Sequence, residues 1–145
     1  PLVSPADAAA VPAPVHWWLP IREAADVAEA GRAVLAMALA HGFARIQAYY
    51  LATAVIELGH NIVAHAAGQG SIELHIDAGP AALALEIIAV DEGPGIADVG
   101  LALTDGFSTN GGLGCGLPGV ARLLDHLEID TAAGHGTRIR ARKRR

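Results

Sequence analysis

Residues 105–119 read DGFSTNGGLGCGLPG, and six of these fifteen residues are glycine. Glycine lacks a Cβ and weakens ordered structure, so a dense run of it in a compact domain indicates a need for bare backbone. A helical pattern begins near Leu117, so main-chain N–H groups precede a helix N-terminus. Such a start is an anion site, and phosphate fits it. The alternative is a long loop without a ligand, although long loops in small domains tend to be functional.

The chain around this stretch alternates between strand and helix patterns. Their order is β, α, α, β, β, loop, α, β, β, which predicts an α+β fold: a two-layer α/β sandwich with the helices on one face of a mixed, mainly antiparallel sheet. A Pro/Ala-rich arm over residues 1–14 is expected to be disordered, and residues 15–145 form one domain. Helices are predicted over 22–40, 44–67 and 117–127, and strands over 15–21, 71–77, 82–90, 127–132 and 136–142.

The second predicted helix carries two polar side chains on one face. Glu57 and Asn61 are four residues apart, and such positions are neighbours on a helix. An amide oxygen can ligate Mg²⁺ while a carboxylate accepts a proton. The alternative is an ordinary exposed polar pair. His60 and His65 lie near this face, but their spacing of five residues differs from the four of a helical zinc pair.

A second candidate is Asp91, which follows an apolar strand directly in VDEGPGI (residues 90–96). A carboxylate at the end of a buried strand needs a hydrogen-bond donor, and the exocyclic amine of a purine is one. Gly93 and Gly95 flank a proline just beyond it. A turn built from Asp, Gly and Pro is the alternative.

Lysine content excludes two classes of nucleotide site. The only lysine is Lys143, near the C-terminus. A Walker A loop requires a lysine after its last glycine, and a eukaryotic-type kinase requires one on a strand. Any nucleotide chemistry here must therefore work without a lysine in the body of the fold.

Net charge, hydropathy and cysteine content limit the kinds of partner and the cellular compartment that the sequence favours. The formal net charge is −5, which argues against a nucleic-acid-binding body, and the basic residues 138–145 are expected to be a solvated end after the last strand. No apolar run reaches the roughly 18 residues of a membrane span. The single cysteine, Cys115, permits no internal disulfide, so a cytoplasmic protein is expected.

Four segments in this order resemble the nucleotide-binding boxes of the GHKL superfamily, whose shared architecture is the Bergerat ATP-binding fold. ELGHN (residues 57–61) resembles the N box, and DEGPGI (91–96) resembles the first glycine box. GGLGCGLPG (111–119) resembles the second glycine box, and GHGTRI (134–139) resembles the closing strand. Each box is weak alone, but four in order form a specific pattern.

Within this superfamily, DGFSTNGGLGCGLPGVARLLDHLEI (residues 105–129) is similar to RsbT-type serine/threonine kinases of bacterial stress signalling. The resemblance implies an ATP- and Mg²⁺-dependent kinase that phosphorylates Ser or Thr on a STAS-domain regulator and then exchanges partners, with a phosphatase or sigma factor as a further partner. Related kinases are often dimers, which leaves a homodimer open.

The resemblance also implies roles for individual residues. Glu57 is expected to be the general base and Asn61 the Mg²⁺ ligand, while Arg32 on the first helix would point toward the γ-phosphate. The family usually has arginine immediately before the N-box Asn, and His60 takes its place here. The remaining expected nucleotide contacts are Asp91 with Gly93 and Gly95 at the adenine, Gly112, Gly114 and Gly116 around the phosphates, and Thr137 supporting the adenine end.

Two other functions remain open. A nucleotide-gated switch could sequester a sigma factor or phosphatase with little catalysis. The catalytic piece of a histidine kinase is disfavoured because no His-Glu or His-Asp phosphoacceptor dipeptide occurs in the chain.

Overall fold

The computed structural model describes residues 13–80, 82–96 and 116–145. Residues 1–12 of the predicted arm over 1–14 lie outside the described residues. Gly112 and Gly114 also lie outside them. The described strands are β1 His16–Ile21, β2 Gly70–Ala78, β3 Leu83–Asp91, β4 His126–Thr131 and β5 Thr137–Arg144, and the described helices are α1 Ala24–Ala40, α2 Arg45–His65 and α3 Gly116–Leu123.

The strands form one sheet in the order β1-β2-β3-β5-β4. Every pairing among them is antiparallel, which confirms the predicted α+β class. The strand β3 is central, as its continuous run of apolar residues predicts. Asp91, its last residue, pairs with Gly70 at the start of β2 on one side and with Thr137 at the start of β5 on the other.

The two faces of the sheet differ because side chains alternate along each strand. Leu74, Ile87 and Ala141 are fully buried and belong to the core that the helices cover. Their neighbours Glu86 and Arg140 point to the opposite, outer face and join in an ion pair. The predicted arrangement of helices on one face is therefore confirmed. None of the helices in the described ranges is long and apolar enough to cross a membrane.

The close packing of α1 on α2 depends on Gly59. A Cβ placed at this residue would lie 2.9 Å from Cγ1 of Val27. Glycine in a helix costs about 1 kcal/mol relative to alanine, and at this position it allows α1 to approach α2. Both Val27 and Gly59 are buried at the contact.

Two expectations about the C-terminal region are corrected. The predicted helix over 117–127 ends at Leu123, because Leu127 pairs with Ala141 as a strand residue of β4 and its side chain packs on the core. The basic residues 138–145 are not a solvated end beyond the last strand. They form most of β5, which lies between β3 and β4.

Candidate functional site

Glu57 and Asn61 are half-buried on one flank of α2. The helix α1 packs on another flank, where a Cβ at Gly31 would lie 3.1 Å from Ile56 and where Gly59 meets α1. Successive helical residues are separated by about 100°, which places Glu57 and Asn61 away from the side that carries Ile56 and Gly59. This flank is therefore not covered by α1.

The flank that bears Glu57 and Asn61 faces α3. Tyr50, two turns before Glu57 on the same side of the helix, has its ring 5.5 Å from Nζ of Lys143. That ammonium group donates a hydrogen bond to the carbonyl oxygen of Leu123, the last residue of α3, at 3.0 Å. Lys143 thus connects the Tyr50 side of α2 with the end of α3, and the two predicted catalytic and metal-binding residues lie along that side.

Asp91 is held in a fixed orientation at the end of β3. Its Oδ1 accepts a hydrogen bond from the main-chain N–H of Gly93 at 2.9 Å. Among the described residues, this is the one hydrogen bond that the carboxylate accepts. Short side-chain-to-backbone bonds of this kind position an aspartate without using its second oxygen.

The loop after Asp91 passes close to two neighbouring segments. A Cβ at Gly93 would lie 3.0 Å from the carbonyl oxygen of His65 at the end of α2. Gly95 has φ +81° and a Cβ there would lie 2.5 Å from the carbonyl oxygen of Ala132. Only glycine adopts this conformation at such a distance without strain. These two glycines join the loop to α2 and to the β4–β5 turn.

Thr137 completes a polar row across three strands. It pairs with Asp91 in β3 and with Thr131 in β4, on the helix-facing side of the sheet. The hydroxyl groups of Thr131 and Thr137 are 3.0 Å apart, and the Thr131 hydroxyl also accepts a hydrogen bond from the N–H of Ile96 at 2.9 Å. The polar row therefore fixes the far end of the glycine loop.

The α2 helix and the polar row meet at Gly70. A Cβ placed on Gly70 would lie 2.8 Å from Cγ2 of Ile62 and 3.1 Å from Cβ of Asp91. Ile62 is the residue after Asn61. The predicted magnesium ligand and the predicted adenine ligand are therefore on directly adjoining elements, at one end of the sheet.

A cavity of about 250 Å³ lies at this end of the sheet. It is lined by Asp91, Thr131 and Thr137 of the helix-facing side, and also by the outer-face residues Val90, Asp130 and Arg138. A larger concavity of about 410 Å³ lies on the outer face, lined by Glu128, Asp130 and Arg140 among others. Cavity size alone would favour the outer face. The chemistry favours the smaller cavity, because its lining includes the oriented carboxylate and the threonine pair at the end of the glycine loop.

The remaining predicted site residues are distributed as follows. Arg32 is exposed on α1. Gly116 is the first residue of α3. His60 is exposed beside Asn61. Their predicted roles remain predictions, as do those of Gly112 and Gly114, which lie outside the described residues.

Sequence reasoning missed Thr131 and Gly136. A Cβ at Gly136 would lie 2.0 Å from the carbonyl oxygen of Asp91, and the residue has φ +78°. The Thr131 hydroxyl is 3.1 Å from the carbonyl oxygen of Gly136. The alternation Leu127, Ile129, Thr131 places this threonine on the helix-facing side, and that alternation was the available signal.

The comparison with protein families agrees with this geometry. A model of the family described as "Histidine kinase-like ATPase domain" matches residues 21–143, which is most of the chain and includes every described element of the site. The chain belongs to this family. The predicted GHKL recognition is thereby confirmed.

A curated relative narrows the enzyme class. The chain is 46% identical over 102 residues to "Serine/threonine-protein kinase RsbT" of Bacillus subtilis (strain 168). The alignment covers 70% of this chain and 76% of the relative. The predicted class, an RsbT-type serine/threonine kinase, is confirmed at this level.

Proposed function

We propose that this chain uses Mg-ATP to phosphorylate a serine or threonine of a STAS-domain regulator, in a cytoplasmic partner-switching pathway. The family match and the RsbT-like relative support the kinase class. The observation that carries the assignment of residues is the contact at Gly70, where Ile62 of α2 and Asp91 of β3 adjoin. Two polar groups with different predicted tasks thus share one end of the sheet.

On α2, Glu57 would accept the proton of the attacking hydroxyl, which a positioned carboxylate does with a rate advantage of about 10²–10⁴. Asn61 would hold magnesium through Oδ1, since amide oxygens suit this hard cation. Both side chains are half-buried on the flank that faces α3. Bound magnesium would neutralise charge on the transferring phosphoryl group.

At the other side of the site, Asp91 would bind the exocyclic amine of adenine through Oδ2. Its orientation by the N–H of Gly93 means that this bond requires no rearrangement. Thr137 would support the adenine end from β5, with Thr131 fixing its hydroxyl. We extend the proposal to Gly112, Gly114 and Gly116 as phosphate contacts ahead of α3, and to Arg32 as a further cation toward the γ-phosphate.

The test is transfer of labelled γ-phosphate from ATP to a STAS-domain protein of the same genome. We expect Glu57→Ala to reduce the rate of transfer by at least about 100-fold while ATP binding persists, because this carboxylate acts on the acceptor proton. Glu128→Ala, on the outer face, is the matched control and should transfer at the wild-type rate.

Loss of transfer in Glu57→Ala with full regulation of the partner would favour the alternative of a nucleotide-gated switch. Wild-type transfer by Glu57→Ala would refute its role as the base. Absence of transfer by the wild-type protein to any STAS-domain protein of that genome would refute the proposed substrate.

A further inference from the structure

The outer face of the sheet brings together two imidazoles and one carboxylate. His16 of β1 pairs directly with His75 of β2, and Glu73 precedes His75 by two residues on the same face. Directly opposite residues in an antiparallel pair have Cβ atoms about 4.5–5.5 Å apart. The strand register alone therefore places these three side chains together.

The side-chain atoms converge as the register requires. The Nε2 atom of His16 is 3.9 Å from Oε1 of Glu73, and Nε2 of His75 contacts the same oxygen. The two imidazole rings have centroids 4.7 Å apart and are tilted by 45°. One ligand atom from each residue lies within 4.8 Å of the others.

Three other acids of this face contact an arginine, whereas Glu73 contacts none among the described residues. Asp77 and Glu86 contact Arg142, and Glu128 contacts Arg140. Among the described residues, the ion-pair partners of Glu73 are the two histidines. Neutral imidazole offers a lone pair on one nitrogen and a carboxylate offers its oxygens, so the cluster holds three side chains that can ligate a cation.

We propose that His16, Glu73 and His75 bind one transition-metal ion, with zinc as the first choice. Two imidazoles and a carboxylate suit Zn²⁺ rather than Mg²⁺ or Ca²⁺, which prefer oxygen ligands alone. With bond lengths of about 2.0–2.2 Å, ligands of tetrahedral zinc lie roughly 3.2–3.6 Å apart. Small rotations of these partly exposed side chains reach that spacing from the present one.

The site would join edge strand β1 to β2, and it is separate from the proposed nucleotide site. His75 is five residues along β2 from Gly70, which pairs with Asp91. At about 3.4 Å per residue this is roughly 17 Å along the sheet, and the cluster is on the opposite face. Zinc binding and phosphoryl transfer can therefore fail independently.

The experiment is a calorimetric titration of the tag-free, nucleotide-free protein with zinc chloride at neutral pH. It is performed in a Cys115→Ser background, which removes the only thiol. We expect saturable binding of one ion per chain. In His16→Gln and His75→Gln a ligand is lost, so zinc affinity should fall by more than about 100-fold. Loss of a group that only hydrogen-bonds to a ligand costs roughly 10- to 100-fold. Excess magnesium should not compete.

His126→Gln is the matched control. Like His75, His126 contacts a glutamate two residues away on its own strand: its Nε2 is 3.0 Å from Oε1 of Glu128. Unlike His75, it belongs to no group of three potential metal ligands among the described residues. This variant should bind zinc as the parent does. Equal unfolding curves in chelator show that the variants fold, and zinc should raise the melting temperature of the parent and of His126→Gln only.

Three results would overturn the proposal. These are the absence of saturable zinc binding, unchanged affinity in His75→Gln, and an equal loss of affinity in His126→Gln. Each is read from binding alone, so none depends on kinase activity.

Discussion

On the helix-facing side of the sheet, Asp91, Thr131 and Thr137 stand together at one end, where the apolar rows of β3, β4 and β5 finish. On the outer side, charged residues extend across the strands and neutralise one another, as in the contacts of Arg142 with Asp77 and Glu86. The first group is held by backbone hydrogen bonds and close glycine contacts. The second is held by partly exposed ion pairs. Polar groups fixed by backbone are suited to orient a ligand, whereas exposed ion pairs contribute little stability.

The largest effect on the stability of the fold is expected from Gly136→Ala, which would place a methyl group 2.0 Å from the carbonyl oxygen of Asp91. Gly134→Ala is the matched control, because both glycines have φ +78° and nothing lies within 4 Å of a Cβ at Gly134. Positive-φ strain costs about 1–3 kcal/mol in each, and overpacking adds about 1–3 kcal/mol at Gly136 alone.

Thermal unfolding measures this difference, since 1 kcal/mol corresponds to about 2–4 °C in a chain of this size. Equal melting temperatures for the two variants would contradict the close contact between the β4–β5 turn and the end of β3.

The next effect concerns adenine selection and uses Asp91→Asn. In the amide, an NH₂ group takes the place of one carboxylate oxygen, so either the N–H of Gly93 or the adenine amine faces a donor instead of an acceptor. A hydrogen bond to a charged group contributes about 1.5–3 kcal/mol, so ATP affinity should fall by roughly 10- to 100-fold. Titrations with ATP and GTP give the selectivity, and an unchanged preference would refute the role of Asp91.

A smaller effect is expected on the outer face from Arg142→Met, which removes the charge and keeps most of the apolar stem. The ion pairs of Arg142 are partly exposed. Surface ion pairs contribute about 0–1 kcal/mol, so the free energy of unfolding should fall by about this amount, and the loss should shrink in high salt. Arg138→Met, on the same face of β5 and without an ion pair among the described residues, is the control. A loss above 2 kcal/mol in Arg142→Met would show that the two faces are not different in kind.

The smallest expected effect is on the pH dependence of stability, and it concerns Glu128→Gln. The hydrogen bond from His126 lowers the pKa of this exposed carboxylate below its usual value of 4.5. A lowered pKa means that the stabilisation is present above about pH 4.5 and is lost as the pH falls through the folded-state value. Urea unfolding of wild type and Glu128→Gln should differ slightly at pH 6 and converge toward pH 2.5. A difference that grows in acid would contradict this sign.

The sequence predicted the helices and strands whose apolar residues recur regularly. It predicted less well those element ends and residue contacts that depend on how the strands pair. The spacing of Glu57 and Asn61 placed both on one side of α2, and the apolar run before Asp91 indicated a central strand. The predicted end of α3 was wrong. Leu127 fits the apolar pattern of a helix and that of a strand equally well, and only its pairing with Ala141 decides between them. The outer-face cluster of His16, Glu73 and His75 depends on strand register, which connects residues far apart in the chain.

The most direct test of the central claim is an ATP titration in magnesium and again in chelator, on the wild type, Asn61→Ala and the outer-face variant Glu73→Gln. We predict tight ATP binding to the wild type and Glu73→Gln in magnesium only, and weak binding to Asn61→Ala under both conditions. Equal affinity of the wild type in magnesium and chelator, or wild-type magnesium dependence in Asn61→Ala, would contradict the account.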